Sequence, residues 1–224
     1  MPFGVLPDKI YLGVPYSEKD EAKKNGAQFD FGKYQWYISS NNPKALQLQK
    51  MWPINQTPII NLVGEDRNYG GDKLFIDMIP ITCWYNNVRR FIHPCDWDRL
   101  RRYVYERVNY RCECCNINTK TCKDIQIEAH ERWHYDNDKK IQKLMRIIAL
   151  CNRCHTTTHM GFAELNGKGE DAMIHLKYVR NFNDKEAIKH KKEAKLLWYN
   201  RNEIKWKQDM SLITNNGIKL NIKQ

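Results

Sequence analysis

Residues 112–115 read CECC and residues 151–159 read CNRCHTTTH. Cys112 with Cys115, and Cys151 with Cys154, form two CxxC pairs; the two-residue gap lets both thiolates of a pair face one side while backbone N–H groups support the sulfurs. Four such thiolates close a tetrahedral shell, so the spacing predicts a structural Zn2+ that replaces core which a small lobe lacks. Cys114 and Cys122 lie nearby as substitute ligands, whereas Cys83 and Cys95 are expected to be ordinary buried thiols. The second pair runs on into His155 and His159, four residues apart. On a helix both imidazoles share a face, which suits a second metal ion.

Upstream of this knuckle, Ile125, Ile127 and Ala129 alternate with polar residues as a strand does and deliver His130 and Glu131 at its end, followed by Arg132, Trp133 and His134. A strand, a loop and a helix carrying these residues make a ββα-metal hairpin. A helix is expected to begin near Cys95 and Asp96, with Trp97, Leu100, Val104 and Val108 at helical spacing and Arg99, Arg101, Arg102 and Arg107 between them. Residues 64–72, GEDRNYGGD, are polar, glycine-rich and aperiodic, as a linker is. Before it, residues 9–52 suggest a compact unit: a strand at Lys9–Val14, a helix from Ser17 to Asn25 closed by Gly26, and a hairpin-like stretch ending on Trp36, Tyr37 and Ile38. Trp36, Tyr37 and Phe31 are either core aromatics of a tiny fold or a face for nucleic acid. After the knuckle, Asn183 to about Met210 is rich in lysine and arginine with Leu196, Leu197, Trp198, Ile204 and Trp206 interspersed, which predicts a basic amphipathic helix. The closing IKLNIK alternates like a short strand.

The chain has 224 residues and a formal net charge of +11, an excess that favours a polyanionic partner through counterion release, although a merely solvated positive face would look alike. Neither a secretory leader nor a bilayer-length apolar run is visible, so the expected setting is cytoplasmic, where eight cysteines point to metal rather than disulfides. The Asn-, Lys- and Ile-rich composition is compatible with a phage or mobile element.

Two resemblances follow. Residues 96–115 (DWDRLRRYVYERVNYRCECC), 127–136 (IEAHERWHYD) and 140–161 (KIQKLMRIIALCNRCHTTTHMG), with IPITCWYNNVR before them, look like the HNH nuclease superfamily over Ile79 to Gly161. That resemblance implies hydrolysis of DNA phosphodiester bonds with one divalent ion (Mg2+, Mn2+ or Zn2+) beside a structural zinc. His130, His155 and His159 would be the ion's ligands, with Glu131 where the general-base histidine usually sits. A one-residue shift would instead make His130 the base, and His134 is a further candidate. Arg146 falls near the family's orienting asparagine; Arg132 or Arg146 could brace a phosphate, and Lys191 and Lys192 could touch the backbone of double-stranded DNA. Residues 11–38, YLGVPYSEKDEAKKNGAQFDFGKYQWYI, resemble a short domain of plasmid and phage primase-like DNA-processing proteins. The expected organisation is α+β: an accessory domain over 1–62, a linker over 63–73, a zinc-stapled ββα-metal domain over 74–182 with flanking helices, and a basic helical tail over 183–224. A non-catalytic zinc-dependent nucleic-acid-binding protein, or an adaptor in which zinc is only a staple, would carry the same cysteines.

Overall fold

The structure is a computed structural model that describes residues 8–15, 18–31, 35–54, 62–85 and 87–220. Its fold is mixed α+β, in two compact units: one comprises residues up to 58 together with 94–99, the other residues 59–93 and 100–224.

In the first unit, β1 (Lys9–Leu12), α1 (Lys19–Lys24), β2 (Gln28–Asp30), β3 (Gln35–Ser39) and α2 (Ala45–Met51) build an antiparallel sheet of order β1-β3-β2 with two helices. The helix predicted from Ser17 starts at Lys19, with Asp20 and Glu21 in its first turn; Ser17 itself lies outside the described residues. Gly26 follows the C-cap Asn25 at φ +86, the left-handed position that lets the chain leave a helix without a Cβ clash. The core is Leu12, Val14, Ala22, Ala27, Ile38, Ala45, Leu48 and Trp52. Of the three aromatics weighed as core, Phe31 is 78% exposed, while Trp36 and Tyr37 are half-buried with Lys23 and Lys9 over their rings. Trp36 packs against this core, to which Phe31 contributes little.

The second unit is built on a long antiparallel hairpin, β4 (Ile127–Asp136) and β5 (Ile141–Cys151), in which His130 pairs with Ile148. Strand β5 runs almost directly into α5 (Asn152–Thr158), followed by α6 (Met160–Leu165), α7 (Gly169–Arg180) and α8 (Asp184–Asn202). Before the hairpin come α3 (Val88–Phe91) and α4 (Pro94–Glu106), the latter shared between the units by residue. Leu74, Ile76, Ile148, Leu150, Met160 and Leu176 are buried around the cysteines.

Within residues 63–73, expected to be a linker, the chain is bound to this hairpin. Glu65 accepts from Ile147 N at 2.9 Å and pairs with Arg107, with both side chains almost fully buried. Arg132 and Arg146, opposite each other across the strands, donate to the carbonyls of Tyr69 and Gly71. A polar, glycine-rich stretch thus becomes a packed loop because two buried guanidiniums need its carbonyls. Glu65→Ala would strand the Arg107 charge, and we expect it to cost about 3–5 kcal/mol in urea unfolding monitored by circular dichroism.

The basic tail is not one helix to Met210. Helix α8 ends at Asn202 after starting in a capping box between Asn183 and Glu186, and the chain then folds back as β6 (Lys207–Asp209), parallel to β5, and α9 (Ser211–Thr214). Helix α8 buries only Ala187 and Ala194, leaving Leu196 and Leu197 more than half exposed, so its basic and apolar residues do not segregate onto opposite faces. Of the closing IKLNIK, Leu220 bridges Ile92 and residues 221–223 lie outside the described residues. Among the described residues no helix is long and apolar enough to cross a membrane.

Candidate metal centre

Cys112 and Cys115 sit in the turn after α4, and Cys151 and Cys154 straddle the junction of β5 and α5. The four sulfurs lie within 4.8 Å of one another, Cys115 and Cys151 at 3.6 Å, against the roughly 3.8 Å separation that Zn–S bonds of about 2.3 Å give in a tetrahedron. Sulfur-to-sulfur hydrogen bonds push the Cys112 thiol down and the Cys154 thiol up, since one of these groups gains by accepting what another gives. Only a bound cation lets all four carry negative charge together, and the donor set therefore fits a structural metal such as Zn2+. Cys151 Sγ also accepts from Cys154 N at 3.4 Å, so one residue is strand end, candidate ligand and helix N-cap. Glu113, inside the first pair, donates its backbone N–H to the Ala149 carbonyl, while its carboxylate accepts from Ala149 N and from Arg146, each at 2.7 Å, which ties the knuckle to the hairpin.

The two cysteines considered as substitutes stay outside this group. Burial pushes the Cys114 thiol up to about 12, and its sulfur accepts from Arg132 at 3.7 Å, while Cys122 packs at the edge of the core. Cys83 is buried, and Cys95 donates to the Gly13 carbonyl.

One helical turn further on, His155 on α5 and His159 at its C-cap come together with His130 from β4. Their ring centroids are 4.8–5.2 Å apart, and one nitrogen from each lies within 4.8 Å of the others. Burial, reinforced by the neighbouring imidazoles, holds His130 well below the usual histidine range and lowers His159 to about 4. Both are therefore neutral at pH 7 and keep a lone pair for a cation. His130 Nδ1 is buried without a hydrogen-bond partner, an orphan that a bound cation would satisfy.

Glu128, two residues before His130 and on the same face of β4, is in hydrogen-bond contact with His155 Nδ1, and that contact holds its carboxyl below the usual range. A carboxylate that holds one imidazole nitrogen turns the other outward as a ligand and raises its basicity. Sequence reasoning passed over Glu128, although the alternation that exposed His130 applies to it equally. It also missed His175 on α7, whose Nε2 lies 3.2 Å from Cys154 Sγ; no local spacing signals that contact. Removing Glu128 as Glu128→Ala is expected to lower the affinity of the histidine site for Mn2+ or Zn2+ by about 10–100-fold in isothermal titration, with the sulfur-bound ion retained.

Other expected site residues are placed elsewhere. Glu131 projects to the opposite face from His130, where its carboxylate accepts from Val88 N at 2.9 Å and burial raises its pKa. Arg132 and Arg146 are 3% and 5% exposed with their donors on carbonyls and Glu113, so neither presents a guanidinium to a nucleic acid. His134 is exposed and contacts Tyr69, outside the cluster. Lys191 pairs with Glu164, and Lys192 is exposed on α8.

The arrangement is thus a hairpin that carries two groups able to hold a metal ion: four cysteine sulfurs at the start of a helix, and three imidazoles from that helix and the adjoining strand. Among known proteins, a family described as a domain of unknown function (DUF5710) matches residues 9–53, the first unit and not the metal centre. No curated protein and no solved structure matches the chain.

Proposed function

We propose that the protein is a metal-dependent endonuclease of HNH type that hydrolyses DNA phosphodiester bonds. The observation that carries this is the convergence of His130, His155 and His159 at the end of a hairpin-and-helix unit, with Glu128 bonded to one of them. The three imidazoles would hold a divalent ion, which when bound supplies Lewis-acid stabilisation at the scissile phosphate and a more acidic water.

The chain's own part is positioning and proton transfer. Burial keeps His130 and His159 neutral, and Glu128 fixes the tautomer of His155 by holding its Nδ1. One carboxylate of β4 stands where it can accept a proton at the cluster: Glu128, on the cluster's own face and open to solvent on one side, whereas Glu131 is held on the opposite face by the Val88 amide. Glu128→Gln should therefore change rate and ion affinity together, and Glu131→Gln should leave the ion affinity intact.

The net charge of +11 and the exposed lysines of α8 favour a polyanion. Supercoiled plasmid incubated with pure protein and Mg2+, Mn2+ or Zn2+ should give nicked or linear product; no product with any of these ions would end the hydrolytic reading. A zinc-dependent nucleic-acid-binding protein without hydrolysis is the second reading. What favours it is Glu131, whose carboxylate is engaged by α3 instead of the imidazole cluster.

A further inference from the structure

Helix α5 passes directly through His159 into α6, and beside that histidine opens a cleft of about 330 Å3. Its lining joins aromatic and charged side chains: Trp84 before α3, Phe162 on α6, Trp198, Tyr199 and Lys195 on α8, and the ion pair of Lys191 with Glu164. Trp84, Phe162 and Tyr199 are 50%, 60% and 52% exposed, a concentration of uncovered ring surface that a solitary folded chain ordinarily avoids. The floor is set. Trp198 Nε1 donates to the Ile79 carbonyl at 3.0 Å, and Gly161 lies so close to Met78 that a Cβ there would come within 3.3 Å of its sulfur.

Each feature selects the occupant. Aromatic faces stack on flat π-systems, lysines draw phosphate, and a cleft of this size falls within the usual range of about 300–1,000 Å3 for a small planar group. A base inside a duplex has both faces covered by its neighbours, so only an unpaired one can use such walls. An apolar peptide would fill the cleft as well but gives Lys195 no role. His159 belongs both to this wall and to the imidazole cluster, which puts a base held here next to the phosphate held there.

We infer that this cleft receives an unpaired nucleobase beside the imidazole cluster, and that the preferred nucleic acid is therefore single-stranded or locally opened DNA. The inference rests on the nucleic-acid reading proposed above and adds to it a substrate class.

The test uses the full zinc-loaded chain and tryptophan fluorescence, titrated with oligothymidylate, with a blunt duplex of equal length and with an apolar peptide. Oligothymidylate should quench the emission and bind more tightly than the duplex. Phe162→Ala, an exposed position whose truncation leaves the core intact, should weaken single-strand binding roughly tenfold with unchanged zinc content and circular dichroism. Lys195→Gln should flatten the salt dependence. Equal affinity for both DNA forms, indifference to Phe162→Ala, or quenching by the peptide alone would overturn the proposal. Single-strand binding without cleavage would leave it standing while removing the hydrolytic mechanism; cleavage with no strand preference would do the converse.

Discussion

Cys151→Ser is expected to leave the second unit unfolded. Binding of a structural zinc by such a cysteine set contributes on the order of 10–16 kcal/mol at neutral pH, as much as or more than the roughly 5–15 kcal/mol that separates a whole domain from its unfolded state. The same residue ends β5 and caps α5, so its loss removes a thiolate and frees the helix start in one change. Metal released by thiol modification and read with a chromogenic chelator should fall by one tightly held zinc per chain, about the amount a single tetrahedral site holds. The aromatic circular dichroism of the second unit should collapse with it. A variant that stayed folded without zinc would show that the buried aliphatic cluster suffices and that the four thiolates are incidental neighbours.

His130→Ala is expected to abolish cleavage while sparing the fold. Removing one of three imidazoles costs the bound ion most of its hold, and Lewis-acid stabilisation of a transferring phosphate is worth several kcal/mol, so the rate should fall by about three orders of magnitude. Structural damage is distinguishable from loss of chemistry here, because the cysteine group should keep its zinc and the melting profile should barely move. Nicking at the wild-type rate by the variant would sink the hydrolytic mechanism. Acidity gives an independent handle on the same residues. His130 and His159 remain neutral in the folded chain well below 6.5 while an unfolded imidazole protonates there, so the ion-free protein should lose stability as pH falls from 6.5 towards about 4.

What could be recognised before any coordinates was whatever is local in the chain. The CxxC spacings and the His155–His159 interval are short-range facts, and the folded chain brings those side chains together, with His130 added from an alternating strand. The rest depends on partners distant in sequence. A linker and a loop pinned by buried guanidiniums share one composition, and nothing near Gly70 announces that Arg132 and Arg146 will claim its neighbours' carbonyls. For the same reason both arginines looked like phosphate ligands. A register irregularity between Arg132 and Trp133 breaks the alternation that would have placed His134, and the amide that receives Glu131 on the face opposite His130, that of Val88, is distant in sequence. The return of residues 207–209 alongside β5 is likewise invisible in a run of lysines.

Cys154 and His155 are consecutive residues of α5, one in each centre. On the proposed reading the two groups would therefore not be emptied in either order with equal effect. Withdrawing an ion from the sulfurs would unmoor the turn that aims both helix-borne rings, whereas emptying the imidazole cluster would leave the knuckle whole. A newly made chain would then cut only after it had been furnished with zinc, and a strong chelator would disarm it irrespective of how much magnesium or manganese is present.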